Sequence, residues 1–334
     1  MARIILDTAE GMDRKPASWR AICQEAAHSD DAGPAALPAA AEGSPLATAG
    51  LGSLKQFPVG TRNVPSPVLF ADPYMPRVSV VIPALNEEKN LPAVLWAIPS
   101  WVHEVLLVDG RSIDRTVEVA RRMRPDIRVI AQPGKGKGDA LRAGFAAAKG
   151  DIIVMLDADG STRPEEMPAF VGALLAGADY AKGSRFMQGG GTADMTLFRR
   201  VGHGMLVRLV KIAFGGNFSD LCYGYNAFWA HVLPRLGLDA DGFEIETMMN
   251  VRALRARLKV VEVHSYEERR TFGEGRLRAI PDGLRVLRTI VKEWLGLGSP
   301  VRVLGPVGPK SPGRARPRWL DDVGNLASRQ ASGE

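Results

Sequence analysis

Four short apolar runs separated by helical stretches constrain this chain more than any other feature. Val78-Ser79-Val80-Val81-Ile82-Pro83, Glu104-Val105-Leu106-Leu107-Val108, Ile127-Arg128-Val129-Ile130 and Asp151-Ile152-Ile153-Val154-Met155-Leu156 are rich in β-branched residues and read as strands. Helical patterns fill the gaps, near Lys89 to Ile98, from Asp114 to Arg122 with Asp114 or Ser112 as cap, and from Asp139 to Ala148. Strands alternating with helices of this length predict a mostly parallel sheet covered on both faces. In such a sheet the carboxyl ends of the strands share one edge, where ligands bind. Polar residues collect there: Asn86, Asp109, Asp157 and Asp159.

Asp157-Ala158-Asp159 closes the fourth run and is followed by Gly160. Asp-x-Asp is common in turns. At the end of a buried strand, however, two carboxylates reach the crevice together and suit a hard divalent cation that is shared with substrate phosphates. The run Gly134-Lys135-Gly136-Lys137-Gly138 lacks the Gly-Lys-[Ser/Thr] of a P-loop and reads as a tight backbone turn. Asn86-Glu87-Glu88 stands where a nucleotidyltransferase would carry a basic Gly-rich loop, which argues against that class.

Four segments together resemble family 2 glycosyltransferases of the GT-A fold: Val-Ile-Pro-Ala-Leu-Asn-Glu-Glu at 81–88, Val-Asp-Gly-Arg-Ser-Ile-Asp at 108–114, Gly-Lys-Gly-Lys-Gly-Asp-Ala at 134–140 and Leu-Asp-Ala-Asp-Gly at 156–160. Within that family the chain looks like the dolichol- or polyprenyl-phosphate mannose or glucose synthases, from about Pro76 to about Leu295. The resemblance implies an α/β, GT-A type, Rossmann-like nucleotide-binding sheet in a single catalytic domain. It implies an inverting, metal-dependent transfer from a nucleotide-diphosphate sugar to a polyprenyl phosphate. The alternative is a soluble family 2 enzyme acting on a hydroxyl of a sugar or small molecule.

By position, Pro83, Asn86 and Glu87 resemble the nucleotide-contacting loop, and Asp109 the carboxylate on the base or ribose. Many members have a second Asp where this chain has Gly110, which leaves the base open. Asp157 and Asp159 match the ligands of Mg²⁺ or Mn²⁺ and the diphosphate, and Lys137 is assigned to the donor side. Ser161 stands where some relatives carry a Gln. Arg185 and Arg199 resemble arginines that hold an acceptor phosphate; a guanidinium fork suits that geometry. His203 falls where several relatives have Ser. Ser219-Asp220 with Gly224-Tyr225 resembles the family's Asp-x-x-x-Gly-Tyr segment, with Leu221 in place of a common Pro, and Glu246 is expected to face the site. Arg269 to Leu277 looks like an Arg-x-x-Gly-x-Ser-Lys loop that covers the diphosphate through Arg270 and Arg276. A phosphate acceptor needs no general base; a hydroxyl acceptor would, and Asp220 and Glu246 are the candidates.

Outside the core, residues 1–70 are rich in Ala, Gly and Pro without a sustained period and are expected to be mostly disordered. Residues 297–334 read as a disordered basic tail, with six basic and three acidic residues toward the net charge of +6. No nucleic-acid module is recognisable. Cys23 and Cys222 have neither zinc nor disulfide spacing, which fits a reducing cytosol. No stretch is apolar and long enough to span a membrane. Met205–Phe214 and the Leu284, Leu287, Ile290, Val291, Trp294, Leu295 stripe, interspersed with basic residues, either pack on the sheet or lie in an anionic headgroup layer. The expected location is the cytoplasm, with peripheral contact on the inner face of the cell membrane.

Overall fold

The computed structural model describes residues 75–298 other than 276. The expected extension over 1–70, Cys23, Arg276 and nearly all of the expected tail lie outside the described residues.

The first half follows the predicted alternation. β1 (Val78–Ala84), α1 (Leu91–Ala97), β2 (Glu104–Asp109), α2 (Thr116–Met123), β3 (Arg128–Ala131), α3 (Lys137–Ala147) and β4 (Ile152–Met155) come in order. Then follow α4 (Met167–Leu175), β5 (Tyr180–Ser184), β6 (Gly191–Thr192), α5 (Leu197–Phe214), β7 (Asn226–Trp229), α6 (Leu233–Leu236), α7 (Ile245–Arg255), β8 (Val260–His264), β9 (Tyr266–Glu267) and α8 (Ala279–Trp294).

Seven strands form one sheet in the order β3-β2-β1-β4-β7-β5-β8. It is mostly parallel, as expected, but β7 runs antiparallel to both β4 and β5 and makes the sheet mixed. β6 and β9 form a separate parallel pair.

Alternate residues of each strand feed different cores. Val80, Ile82, Val105, Leu107 and Val154 face α1 and α4, while Val81, Leu106, Val108, Ile153 and Met155 face α3 and α7. That two-sided burial explains why the strands read as near-continuous apolar runs. Each fully buried aliphatic side chain contributes roughly 1.5–3 kcal/mol. A third, smaller cluster, Val210, Phe218, Leu221, Val251, Val286 and Ile290, joins α5, α7 and α8.

Register aligns the functional edge. Ala84 is opposite Asp109, and Asp109 is opposite Ala131. Val81 pairs with Met155, so Asp157 lies two residues past the end of β4 on that same edge.

Candidate active site

The glycine run before α3 docks the segment that leads into α7. A Cβ on Gly136 would lie 2.2 Å from the Asp241 carbonyl oxygen, and one on Gly138 would lie 2.3 Å from that of Ala240. Gly136 also has φ +91°, a conformation that favours glycine. The backbone N–H groups of Gly138 and Asp139 donate to Asp241 O at 2.8 and 3.3 Å. Two of the helix's orphan donors are therefore satisfied by protein, not left for a phosphate.

This docking sets Lys137 against the metal-type carboxylate. Its Nζ lies 2.5 Å from Asp157 Oδ1 and 2.7 Å from Glu246 Oε1. Burial works against the ammonium, but the Asp157 and Glu246 carboxylates beside it raise its pKa and keep it charged. Burial pushes the Glu246 carboxyl up despite Lys137. Gly224 is small for the same reason: a Cβ there would sit 2.4 Å from Asp157 Oδ2.

Asp159 accepts from Ser161 N at 3.0 Å, and burial together with the charge of Asp157 raises its pKa. Its Oδ2 is 3.5 Å from Arg270 Nη1, while Arg270 Nη2 donates to Glu87 Oε1 at 2.5 Å. Phe272 is clipped down by Asn90, with Phe272 N donating to Oδ1 and Asn90 Nδ2 to the Phe272 carbonyl, both at 3.1 Å. The 269–273 segment thus folds over the loop after β1. Burial raises the pKa of Glu87 against the pull of Asn90 and Arg270.

Asp157 and Asp159 fit a hard divalent cation. They are oxygen donors one residue apart, their like charges disfavour each other, and each lies beside a side-chain cation, Lys137 and Arg270 respectively. Among the described residues no group of three His, Cys, Asp or Glu surrounds one point. The remaining ligands would come from phosphate and water, the mode Mg²⁺ prefers.

Pro83, Glu87 and Lys137 line the same cleft as the two aspartates. Asn86 and Asp109 instead brace the neighbouring loops. Asn86, at φ +53°, accepts from Ile113 N at 2.8 Å through Oδ1 and donates its N–H to Ser112 Oγ at 2.9 Å. Asp109 accepts from Ser112 N at 3.2 and 3.3 Å.

On the other side of the cleft Arg185 and Arg199 do not form one clamp. Arg185, with its side chain 3% exposed, donates to Asp220 at 2.7 and 3.0 Å and to both oxygens of Glu267 at 3.0 Å. Burial would raise the Asp220 carboxyl, but Arg185, the His203 contact and Lys182 hold it well below the usual range. His203 stacks on Phe186, and its Nε2 lies 3.1 Å from both Asp220 Oδ1 and Leu221 N. Arg199 is different: it sits in the first turn of α5 with its side chain 31% exposed, and among the described residues its guanidinium meets Asp194 alone. Glu267 and Gln132 line the cleft and were missed by sequence reasoning; a carboxylate pair beside Arg269-Arg270 was the one available signal.

The cleft holds about 1260 Å³ and runs from Glu87, Lys137 and Asp157 outward between α5 and α8. Its outer walls are apolar, including Phe198, Met205 and Ile212 on α5 and Ile280, Leu284 and Leu287 on α8. α8 divides its apolar residues. Val286 and Ile290 pack inward, while Ile280, Leu284, Val291 and Trp294 recur at helical spacing on the exposed side.

Residues 79–236 match the family model described as Glycosyl transferase family 2. An undecaprenyl-phosphate mannosyltransferase of Micrococcus luteus is 33% identical over 237 residues, 66% of this chain and 97% of that protein. The chain belongs to glycosyl transferase family 2. This family 2 chain is also 31% identical over 231 residues to a dolichol-phosphate mannosyltransferase of Pyrococcus furiosus, with 66% of the chain aligned. It spans just under two thirds, 65%, of that relative's length. The fold matches glucosyl-3-phosphoglycerate synthase of Mycobacterium tuberculosis, solved with Mn²⁺, uridine diphosphate and glucosyl-3-phosphoglycerate. The TM-score is 0.53 at 24% identity, covering 67% of this chain and 81% of that one.

Proposed function

We propose that this family 2 chain transfers a hexose from a nucleoside diphosphate sugar to a polyprenyl phosphate, with inversion at the anomeric carbon. One observation carries the reading: the cleft that holds Asp157 and Asp159 continues into an apolar channel between α5 and α8. A sugar acceptor would want polar walls there; a prenyl chain wants apolar ones. The Micrococcus and Pyrococcus relatives are an undecaprenyl-phosphate and a dolichol-phosphate mannosyltransferase, which supports a polyprenyl-type phosphate and makes mannose the first sugar to try.

Charge supports the same acceptor. A hydroxyl must lose a proton, and the two carboxylates that are candidates for the base are engaged. Asp220 spends its oxygens on Arg185, and Glu246 is bonded to Lys137. A phosphate monoester arrives as an anion and needs neither. Arg199, at the rim and paired among the described residues with the half-exposed Asp194, is the guanidinium best set to meet it. Arg185 acts from behind, fixing Asp220 and Glu267.

On the donor side, Mg²⁺ or Mn²⁺ held by Asp157 and Asp159 would supply charge neutralisation of the departing diphosphate. Lys137, kept cationic by Asp157 and Glu246, and Arg270, 3.5 Å from Asp159, would contact the same phosphates. Asn90 holds the Arg270 segment down, which excludes water from the reacting centre. Asn86, Asp109, Pro83 and Glu87 shape the nucleoside side, and Arg276 belongs to the covering loop in the same proposal. The catalytic domain is residues 76–296. Among the described residues no helix is long and apolar enough to cross a membrane. Contact with the inner face of the cell membrane would run through the exposed side of α8.

The test is direct. Purified protein is incubated with a panel of GDP- and UDP-hexoses, polyprenyl phosphate and Mg²⁺ or Mn²⁺, and the organic phase is weighed by mass spectrometry. A glycosyl phosphopolyprenol is expected; no lipid-linked product from any donor would refute the proposal.

A further inference from the structure

Gln132 and Gly110 form a coupled pair at the edge of the sheet. The ladder continues one residue past the strands: Gly110 N donates to Ala84 O at 2.8 Å, and Gln132 N donates to Asp109 O at 2.9 Å. Leu85, Gly110 and Gln132 therefore stand in one cross-strand row, on the side of the sheet that α3 covers. Gln132 is only 7% exposed, yet it lines the cleft.

Its amide orientation is forced. Nε2 donates to Gly136 O at 2.7 Å and to Asp139 Oδ2 at 3.0 Å. A carbonyl and a carboxylate accept only, so both need the NH₂ group, and the oxygen must take the other side. Among the described residues no donor is recorded on Oε1. That oxygen lies 3.0 Å from where a Gly110 Cβ would stand, with Ala84 O and Leu85 Cβ each at 3.2 Å. A side chain at 110 would crowd it. The absence of one lets Gln132 lean across Gly110 and present a fixed, neutral acceptor.

The geometry points to Gln132 as a residue that selects the nucleobase of the donor. Its Oε1 accepts from a ring N–H, which favours bases that carry one on that edge, uracil (N3–H) or guanine (N1–H). Adenine and cytosine carry a lone pair on the corresponding ring nitrogen and are repelled by the same oxygen. The inference rests on the nucleotide-sugar reading above and adds which edge of the base is read and by which atom.

Calorimetry with UDP, GDP, ADP and CDP in the presence of Mg²⁺ tests it without requiring turnover. Wild type is expected to bind UDP or GDP at least about tenfold more tightly than ADP and CDP, as for a site built around a polar contact. Gln132→Leu keeps the volume and removes the acceptor. Because it also cuts the tether to Gly136 and Asp139, Gly110→Ala is the companion: its Cβ displaces Oε1 and leaves the Nε2 partners in place. Both variants should weaken the favoured nucleotide by about three- to tenfold, the scale of one neutral hydrogen bond. Neither should change ADP or CDP, and thermal melting confirms the fold. Equal losses for all four nucleotides, no loss, or a wild-type preference for ADP or CDP would overturn the assignment while leaving nucleotide-sugar use intact. If no nucleotide binds to wild type, the functional reading itself fails.

Discussion

The β1–β4 half of the sheet and the β5–β8 half hold their polar groups by different means. In the first half, carboxylates sit at aligned strand ends, stay about a quarter exposed to the cleft and face single cations: Lys137 on Asp157 and Arg270 on Asp159. In the second, Arg185 is locked between Asp220 and Glu267, and Arg252 between Asp239 and Glu293, with little or no exposure of either guanidinium. One half keeps charge available for a ligand; the other spends it on architecture. The locked half also ties down the walls of the apolar channel, since Asp220 meets His203 of α5 and Arg252 meets Glu293 of α8.

The comparison breaks first at Asp220. Asp220→Asn leaves Arg185 buried and under-neutralised and is expected to cost about 3–5 kcal/mol, read by denaturant or thermal unfolding. The pH dependence has a definite sign. The folded pKa lies well below the usual carboxylate range, so the unfolded chain binds more protons in that window. The contribution is complete above about pH 4 and is lost as pH falls through the folded pKa; the variant should flatten the acid limb. Unchanged stability would mean that the cluster is ornamental.

Asp159→Ala should do the opposite. Activity falls about a hundredfold or more, as for lost electrostatic stabilisation, and excess chelator abolishes turnover of wild type. The melting temperature should hold or rise, because a carboxyl whose pKa is raised by burial and by Asp157 is removed. Full activity in chelator would remove the metal from the account.

Much of the first half was legible, and the reasons are local. Strands buried on both faces announce themselves as apolar runs, so β1, β2 and β4 fall within a residue or two of expectation. The second half hides its logic in long-range partners. Arg185 meets Asp220 35 residues on and Glu267 82 residues on, and no sequence spacing encodes such pairs. β7 went unread because Asn226-Ala227-Phe228-Trp229 is only four residues long and enters the sheet antiparallel. The Gly134–Gly138 run read as a tight turn, but its glycines are explained by Asp241 and Ala240, a hundred residues away. The stripe on α8 mixed two faces: Ile290 is core, whereas Leu284 and Trp294 are surface.

Two smaller effects sharpen the contrast. Arg199→Ala should raise the KM for the acceptor by roughly tenfold, the worth of a charged hydrogen bond, and leave nucleotide-sugar affinity unchanged. Asp109→Ala should show the mirror image, with nucleoside diphosphate Kd and donor KM rising together. If the two variants shift the same parameter, the division of labour is wrong. Trp294 is 62% exposed, so Trp294→Glu should keep the fold. It should reduce partition onto anionic vesicles by roughly ten- to a hundredfold, the scale of the 1.5–3 kcal/mol of a buried apolar side chain. Equal sedimentation with vesicles would dismiss α8 as a docking face.

The central claim is that an anionic acceptor enters along the apolar channel and needs no carboxylate base. One competition assay addresses it: wild type is given polyprenyl phosphate, the matching unphosphorylated polyprenol and a water-soluble sugar acceptor together, with the products separated by mass. The account predicts transfer to the phosphate alone, at a rate that Glu246→Gln lowers without redirecting to another acceptor. Robust transfer to the soluble hydroxyl, none to the phosphate, and loss of that transfer in Glu246→Gln would contradict it.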